Sequence, residues 1–375
     1  MKRHYFDWAA TAIPGDYPAG ESPFGNPSSA HREGRTAKEA LENARRRCAA
    51  VLGVPAPQLY FSSGGSESNA IVLNSMLLRR GKPGMALSSL EHPSIRESGH
   101  TLSRLGMNIA WIESEKDGRV SPGGLAKTLA GLENPRLASV MLVNNETGAV
   151  MDIPSLAEAA RKTGPVHFHS DLVQALGKIP FDLETLGADS ASFSAHKIGG
   201  PRGIGLLWLK KPLEVLNAGG GQERGVRPGT ENVGGALALA SALEARGGRE
   251  TTGSCYAPAR DRFRTLINGL RSMDRAFLIP HDRTEADERF SPYILQCGFR
   301  GIPGEVMVRV LDDRGFAVST GSACSSSSQK RPVLAAMGLD EKDSLEGIRI
   351  SQGWTTGGGD IEALLNAIEF ILKKF

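Results

Sequence analysis

Short apolar runs bounded by turn residues recur through the first half of the chain. They are "QLYFSS" (58–63), "GMALSS" (84–89), "ASVMLVNN" (138–145), "VHFHSD" (166–171), "SASFSAH" (190–196) and "IGLLWL" (204–209). Each has strand length, and helical spacing fills many of the gaps, as in "SLAEAARKTG" (155–164). Strands alternating with helices predict an α/β unit, a mostly parallel sheet with helices on both faces. Several runs end in polar residues: Ser63, Asn145, Asp171 and His196. Open α/β sheets bind ligands at the carboxyl ends of their strands, so these ends should converge on one site.

The pattern changes near residue 250. "CYAPARDRFRTLINGLRSM" (255–273) predicts a helix, "FSPYILQCGF" (290–299) and "FAVSTG" (316–321) predict strands, and "DIEALLNAIEFILKKF" (360–375) predicts an amphipathic helix. We expect a large α/β domain over 13–250 and a smaller α+β domain built from 1–12 and 251–375. "AGGGQERGVRPGTEN" (218–232) is too polar and Gly-rich for a core element.

Composition adds little to this picture. The chain has 375 residues and a net charge of +3, too small to argue for nucleic acid or an acidic membrane surface. No apolar run approaches membrane-spanning length, and the first residues lack the apolar stretch of a signal peptide, so a cytoplasmic protein is expected. The four cysteines, Cys48, Cys255, Cys297 and Cys324, are far apart and form no metal-binding or disulfide pattern. Cys324 stands out by its setting, "STGSACSSSS" (319–328), which cannot build a core.

The candidate chemistry gathers around "SFSAHKIGGPRGIG" (192–205). Lys197 follows a strand end in the expected crevice, where desolvation or nearby cations make an amine nucleophilic. "SSGGSESNA" (62–70) predicts a Gly-rich turn opening a helix near Ser66, a cup of free N–H groups for an anion. In "HSDLVQ" (169–174), Asp171 ends a strand and suits the ring nitrogen of a pyridine cofactor. Gln174 is placed to donate to a phenolic ring oxygen. His167 and His169 alternate with Asp171 and suit either packed histidines or a metal site. His92, in "LEHPSI" (90–95), opens a helix and suits stacking on a cofactor or proton transfer.

These motifs, together with "FDWAAT", "FGNPSSAHREGR", "VNNETGAV", "HSDLVQALGKIP" and "GGGQERGVRPGTEN", resemble in content and order the cysteine desulfurases, pyridoxal-phosphate enzymes of the class V aminotransferase group. The resemblance covers most of the chain and implies the aspartate-aminotransferase-like fold (fold type I). It implies conversion of L-cysteine to L-alanine, with the sulfur kept as a persulfide for iron–sulfur cluster assembly or for thiolation of tRNA or cofactors. By the same resemblance Lys197 carries pyridoxal 5'-phosphate, Asp171 and Gln174 hold its ring, and His92 stacks on it and takes part in catalysis. Gly65, Ser66, Ser194 and His196 hold the phosphate, and Thr230 reaches it from the partner subunit of a homodimer. Asn145 touches both cofactor and substrate, Arg349 receives the substrate carboxylate, and Cys324 is the nucleophile that takes up sulfur. A sulfur-acceptor or scaffold protein is the expected partner. Selenocysteine lyase activity, another class V reaction, or a non-catalytic binding role remain alternatives on the same motifs. The chain departs from the family at Ala195, at Trp354, and in the short link between "AATAIP" and "FGNPSS".

Overall fold

The computed structural model describes residues 2–17, 22–81, 83–321 and 331–375. The chain enters as β1 (His4–Tyr5) and then forms α1 (Arg32–Leu52). Next come β2 (Leu59–Ser62), α2 (Gly65–Ser75), β3 (Gly84–Ser88), α3 (Pro93–Arg104), β4 (Asn108–Ile112), α4 (Pro122–Ala130), β5 (Pro135–Ser139), α5 (Ile153–Lys162) and β6 (His167–Asp171). Then follow β7 (Ser190–Ser194), β8 (Gly205–Leu209) and α6 (Val233–Arg246). Beyond residue 248 lie α7 (Arg249–Arg271), β9 (Ala276–Ile279), β10 (Ile294–Phe299), α8 (Gly304–Asp313) and β11 (Phe316–Ala317). The chain closes with α9 (Pro332–Ala336), α10 (Glu341–Glu346), β12 (Gly347–Ser351) and α11 (Gly358–Leu372).

The seven-stranded sheet has the order β2-β8-β7-β6-β5-β3-β4. β8 alone runs against the rest, antiparallel to both β7 and β2. Its connection from β7 holds only a 3₁₀ turn (Ala195–Ile198), and parallel neighbours need a longer crossover. β3, β7 and β8 are buried at every position, which explains their unbroken runs of apolar and small residues. α5 buries Ile153, Leu156, Ala157 and Ala160, the i, i+3, i+4, i+7 stripe of a surface helix. A smaller antiparallel sheet, β12-β10-β9, packs with α7, α8 and α11 around Leu266, Ile267, Leu295, Ile348, Leu364 and Ile368.

Two strand expectations need correction. The run at 138–145 is strand only at its start, since β5 ends at Ser139. Val140 and Leu142 still donate to the carbonyls of His169 and Asp171, so the chain stays extended beside β6 before Val143 bridges Val150. "FAVSTG" forms strand only at Phe316–Ala317, paired with β1, with one further bridge from Ser319 to Arg349.

The N-terminal segment straps the two sheets together. Phe6 N–H donates to Ala317, Ser351 N–H donates to Phe6, and Ala9 N–H donates to Ser351 Oγ. Farther on, Ala12 donates to the carbonyl of His196 and Gly15 to that of Gly199. Among the described residues no helix is long and apolar enough to cross a membrane.

Candidate active site

A cavity of about 620 Å³ opens at the carboxyl ends of β6 and β7. Gly65, Ser66, His92, Asn145, Asp171, Gln174, Ser194, His196, Lys197 and Arg349 all line it. These are the residues singled out in the sequence, except for two. Thr230 is exposed and does not line the cavity. Cys324 lies outside the described residues, in a segment bounded by two cavity-lining residues, Gly321 and Pro332.

The anion cup forms as its glycines dictate. Gly64, the N-cap of α2, sits at φ 147°, a conformation that side chains rarely adopt. A Cβ on Gly65 would stand 2.6 Å from Val173 Cγ2, so only glycine lets α2 start this close to the chain after β6. The recess lined by Gly64, Gly65, Ser66, Ser194, His196 and Arg202 leads from this helix start. His196 is held at 3.1 Å from Thr11 Oγ1, and its pKa falls to about 4 through burial and the charges of Lys197, Lys178 and Arg202. It is therefore neutral at pH 7 and able to donate one N–H.

Asp171 ends β6 with both oxygens engaged by neutral donors. Oδ1 accepts from Val173 N–H at 2.9 Å and Oδ2 from Asn69 Nδ2 at 2.8 Å. Asn69 is fixed in turn, its Oδ1 lying 3.0 Å from His169 Nε2. His169 Nδ1 and His167 Nε2 share Ser190 Oγ, at 2.8 and 2.7 Å. Burial drives the His169 pKa down to about 3, so this ring stays neutral. The histidine pair thus belongs to a hydrogen-bonded relay behind Asp171. No cluster of three His, Cys, Asp or Glu side chains able to hold a metal occurs among the described residues.

His92 caps α3, with Pro93 at the first helical position. Its Nδ1 accepts from Ser94 N–H at 3.1 Å, so in the neutral ring the proton resides on Nε2. Burial lowers its pKa, opposed by the Asp171 charge. Asn69 Nδ2 also donates to Ser94 Oγ at 2.9 Å, so one amide braces both Asp171 and the cap of His92.

Lys197 Nζ donates to the carbonyls of Ala9 and Ala10, both at 2.6 Å. Arg349, 3% exposed, donates from Nη1 to Asn145 O at 2.9 Å and from Nη2 to Asp7 Oδ1 at 2.8 Å. Its Nε and the Oδ1 of Asn145 are buried with no partner among the described residues. Unmatched buried polar atoms on a cavity wall suit a polar ligand. A carboxylate arriving at Arg349 competes with Asp7.

Sequence reasoning missed Asn69, Ser94 and Asp7. Each lay inside a quoted motif, and Asn69 stands four residues, about one helical turn, after Gly65. Glu91 was missed too. It is fully buried beside His92, and burial followed by the charge of Asp171 raises its pKa to about 8, against Ser139 Oγ at 3.0 Å. An unfolded Glu91 ionises near 4.5. Stability should therefore fall as pH rises from about 4.5 to about 8, at roughly 1.4 kcal/mol per unit for a single group. Glu91→Gln should remove that slope, and denaturant midpoints across the window measure it. A constant difference between variant and wild type would rule out the buried neutral acid.

The aminotransferase class-V family matches residues 15–364. The chain is 33% identical to the cysteine desulfurase IscS of Dictyoglomus turgidum, over 100% of this chain and 96% of that one. The chain belongs to the cysteine desulfurase family. Another family relative, the cysteine desulfurase IscS of Anaeromyxobacter dehalogenans, is 37% identical over 88% of this chain and 81% of its own. Among solved structures, a NifS-like protein superposes with a TM-score of 0.90 at 32% identity, covering 100% of both chains. SspA in complex with cysteine gives 0.78 at 27% identity, covering 93% of this chain and 98% of that one. The desulfurase fold, with its large mostly parallel sheet, is thus the fold expected from the sequence.

Proposed function

We propose that this chain converts L-cysteine to L-alanine with pyridoxal 5'-phosphate as cofactor and Cys324 as sulfur acceptor. The observation that carries the reading is the convergence on one cavity of an anion cup, Asp171, His92, Lys197 and Arg349. The donor set fits the cofactor. Gly65, Ser66, Ser194 and His196 would hold its phosphate, Asp171 its ring nitrogen, Gln174 its ring oxygen and Lys197 its aldehyde carbon. Bound there, the cofactor supplies an electron sink for bonds broken at the amino-acid carbons.

The protein's own groups do the rest. Asn69 and Val173 keep Asp171 aimed at the cavity. His92 covers the ring face and offers Nε2–H. Lys197 carries protons at Nζ. Arg349, with Asn145, receives the substrate carboxylate, for which a planar guanidinium fork is suited. Cys324 as thiolate attacks the substrate sulfur. The sulfur–sulfur bond forms as the carbon–sulfur bond breaks, the carbon takes up a proton, and alanine leaves with one sulfur atom retained on the enzyme.

The other cysteines support this choice. Cys48 and Cys297 are fully buried, and burial pushes both thiols up to about 12. Cys255 does not line the cavity. Only the thiolate is reactive, so the two buried thiols are inert.

We further propose a homodimer in which Thr230 serves the neighbouring copy's phosphate cup. Thr230 is exposed and off its own chain's cavity, the placement such a role requires. Its loop is anchored: Glu223, with Arg224 at positive φ, accepts two bonds from buried Arg45 and one from Phe61 N–H. The large domain (13–250) would hold the cofactor, and the small one (1–12 and 251–375) would bring Arg349 and Cys324. The retained sulfur is destined for iron–sulfur cluster assembly or a thiolation acceptor.

Mass spectrometry of the cofactor-loaded protein after brief exposure to cysteine tests the reading. The non-reduced peptide containing Cys324 should gain the mass of one sulfur atom while alanine accumulates. Alanine formed with the added sulfur on Cys255 instead would overturn the nucleophile assignment. Absence of alanine would overturn the reaction.

A further inference from the structure

Lys178 is a charged side chain that the proposed chemistry leaves unused, and its position is unusual. It is 2% exposed. Its Nζ donates to Gln174 Oε1 at 2.6 Å, and no carboxylate pairs with it among the described residues. The charged groups that bear on it are two more cations, Lys197 and Arg349. Burial first, then those two charges, lower its pKa well below that of an ordinary lysine. An apolar side chain of similar size would fill the space at less cost, since burying an amine without a counter-charge is unfavourable. The placement therefore points to what the amine does for its one side-chain partner among the described residues.

Gln174 is that partner, and it lines the cavity. Its Nε2 donates to the carbonyl of Ala9 at 2.8 Å. A glutamine amide offers one oxygen and one NH2 group, and rotation by half a turn exchanges them. Here the two neighbours agree on one orientation. The carbonyl of Ala9 only accepts, and Lys178 Nζ donates to Oε1. A flipped amide would set its oxygen against the carbonyl oxygen of Ala9 and give up the bond from Lys178. Ala9 O also accepts from Lys197 Nζ, so Ala9 does not depend on Gln174 for a donor. Without Lys178 the amide would keep only that shared contact.

We propose that Lys178 is a positioning residue that locks the Gln174 amide, so that Gln174 meets the cavity with its second N–H, as a donor and never as an acceptor. On the pyridoxal phosphate reading, on which the ligand rests, that donor serves the anionic ring oxygen of the cofactor. An amide free to turn would present its own oxygen to the same atom and repel it. The lock acts before any ligand binds, because all three of its members belong to the protein.

Lys178→Met, Gln174→Leu and the double variant test the proposal with two readouts. In cofactor-free protein labelled with 15N at glutamine side chains, the Gln174 signal is the one lost in Gln174→Leu. That signal should shift or broaden in Lys178→Met. With pyridoxal phosphate added, the pH midpoint of the visible absorbance of the lysine-bound cofactor should move by about one unit in Lys178→Met, the scale of one lost hydrogen bond. The double variant should match Gln174→Leu, because the lysine acts only through the glutamine. An unmoved Gln174 signal would overturn the lock. A midpoint shift of equal size in the presence and absence of Gln174 would mean that Lys178 acts directly through its charge, and would also overturn it. Thermal midpoints keep folding separate, since exchange of a buried unpaired amine for an apolar chain should leave them unchanged or raised. Failure of the wild type to develop any visible band would remove the cofactor reading and the ring oxygen with it. The lock itself would still be decided by the cofactor-free signal.

Discussion

Lys197→Ala is expected to abolish alanine production from cysteine and to remove the visible absorbance of the loaded protein. The two roles proposed for it vanish together, the covalent hold on the cofactor and the proton carrier. Loss of the proton-transfer role alone is worth roughly 10²–10⁴ in rate. The structure adds a second consequence. Nζ donates to the carbonyls of Ala9 and Ala10; Gln174 Nε2 still serves Ala9, so the substitution leaves the Ala10 carbonyl short of a donor. An unsatisfied buried polar group costs about 1–3 kcal/mol. The variant should therefore also show a lower thermal midpoint without cofactor. Steady-state alanine assays and absorbance spectra check the first effect, and calorimetry of the cofactor-free protein the second. Retention of more than a few per cent of the activity would remove Lys197 from the centre of the mechanism.

Asp171→Asn should be the next most damaging change. The substitution removes the negative charge facing the proposed ring nitrogen while keeping the shape. Loss of one preorganised electrostatic group in an active site costs roughly 10²–10³ in kcat. The local hydrogen bonding makes the swap worse than isosteric. Both carboxylate oxygens accept from fixed donors, Val173 N–H and Asn69 Nδ2, so an amide must turn its NH2 against one of them. The disturbance should spread to Ser94 and the cap of His92, since Asn69 also holds Ser94 Oγ. The kinetic signature is a fall in kcat far larger than any change in KM. An equal rise in KM with kcat intact would place Asp171 in substrate binding instead.

Much of this molecule was legible from its sequence because burial leaves a simple trace. β3, β7 and β8 are buried at every position, so they appear as unbroken apolar or small-residue runs, and the polar strand ends mark the crevice. β4 left a weaker trace. It is an edge strand, "NIAWI", fully buried only at Ile112, and its apolar residues show no alternation of one buried and one polar face. The reversed direction of β8 was readable in principle, from the missing helix between β7 and β8. The side chains that line the cavity stood out because their motifs are local. Those that aim them were not, because aiming is long-range. Asn69 meets an aspartate 102 positions away, and Arg349 meets Asp7 across 342 positions. Lys178 in "LGKIP" looks like any surface lysine until the fold buries it.

The strap formed by the first residues gives the site a property that no single side chain carries. Asp7 holds Arg349, and two and three residues later the carbonyls of Ala9 and Ala10 hold Lys197. One short stretch of peptide is thus a shared counterpart for the group that would greet the substrate and the group that would hold the cofactor. A carboxylate that displaces Asp7 changes what it costs Lys197 to leave its carbonyls. By thermodynamic reciprocity, a cofactor that draws Lys197 away changes the affinity at Arg349 by the same factor. The two ligands would then read each other's presence through main-chain atoms, with no conformational switch between them.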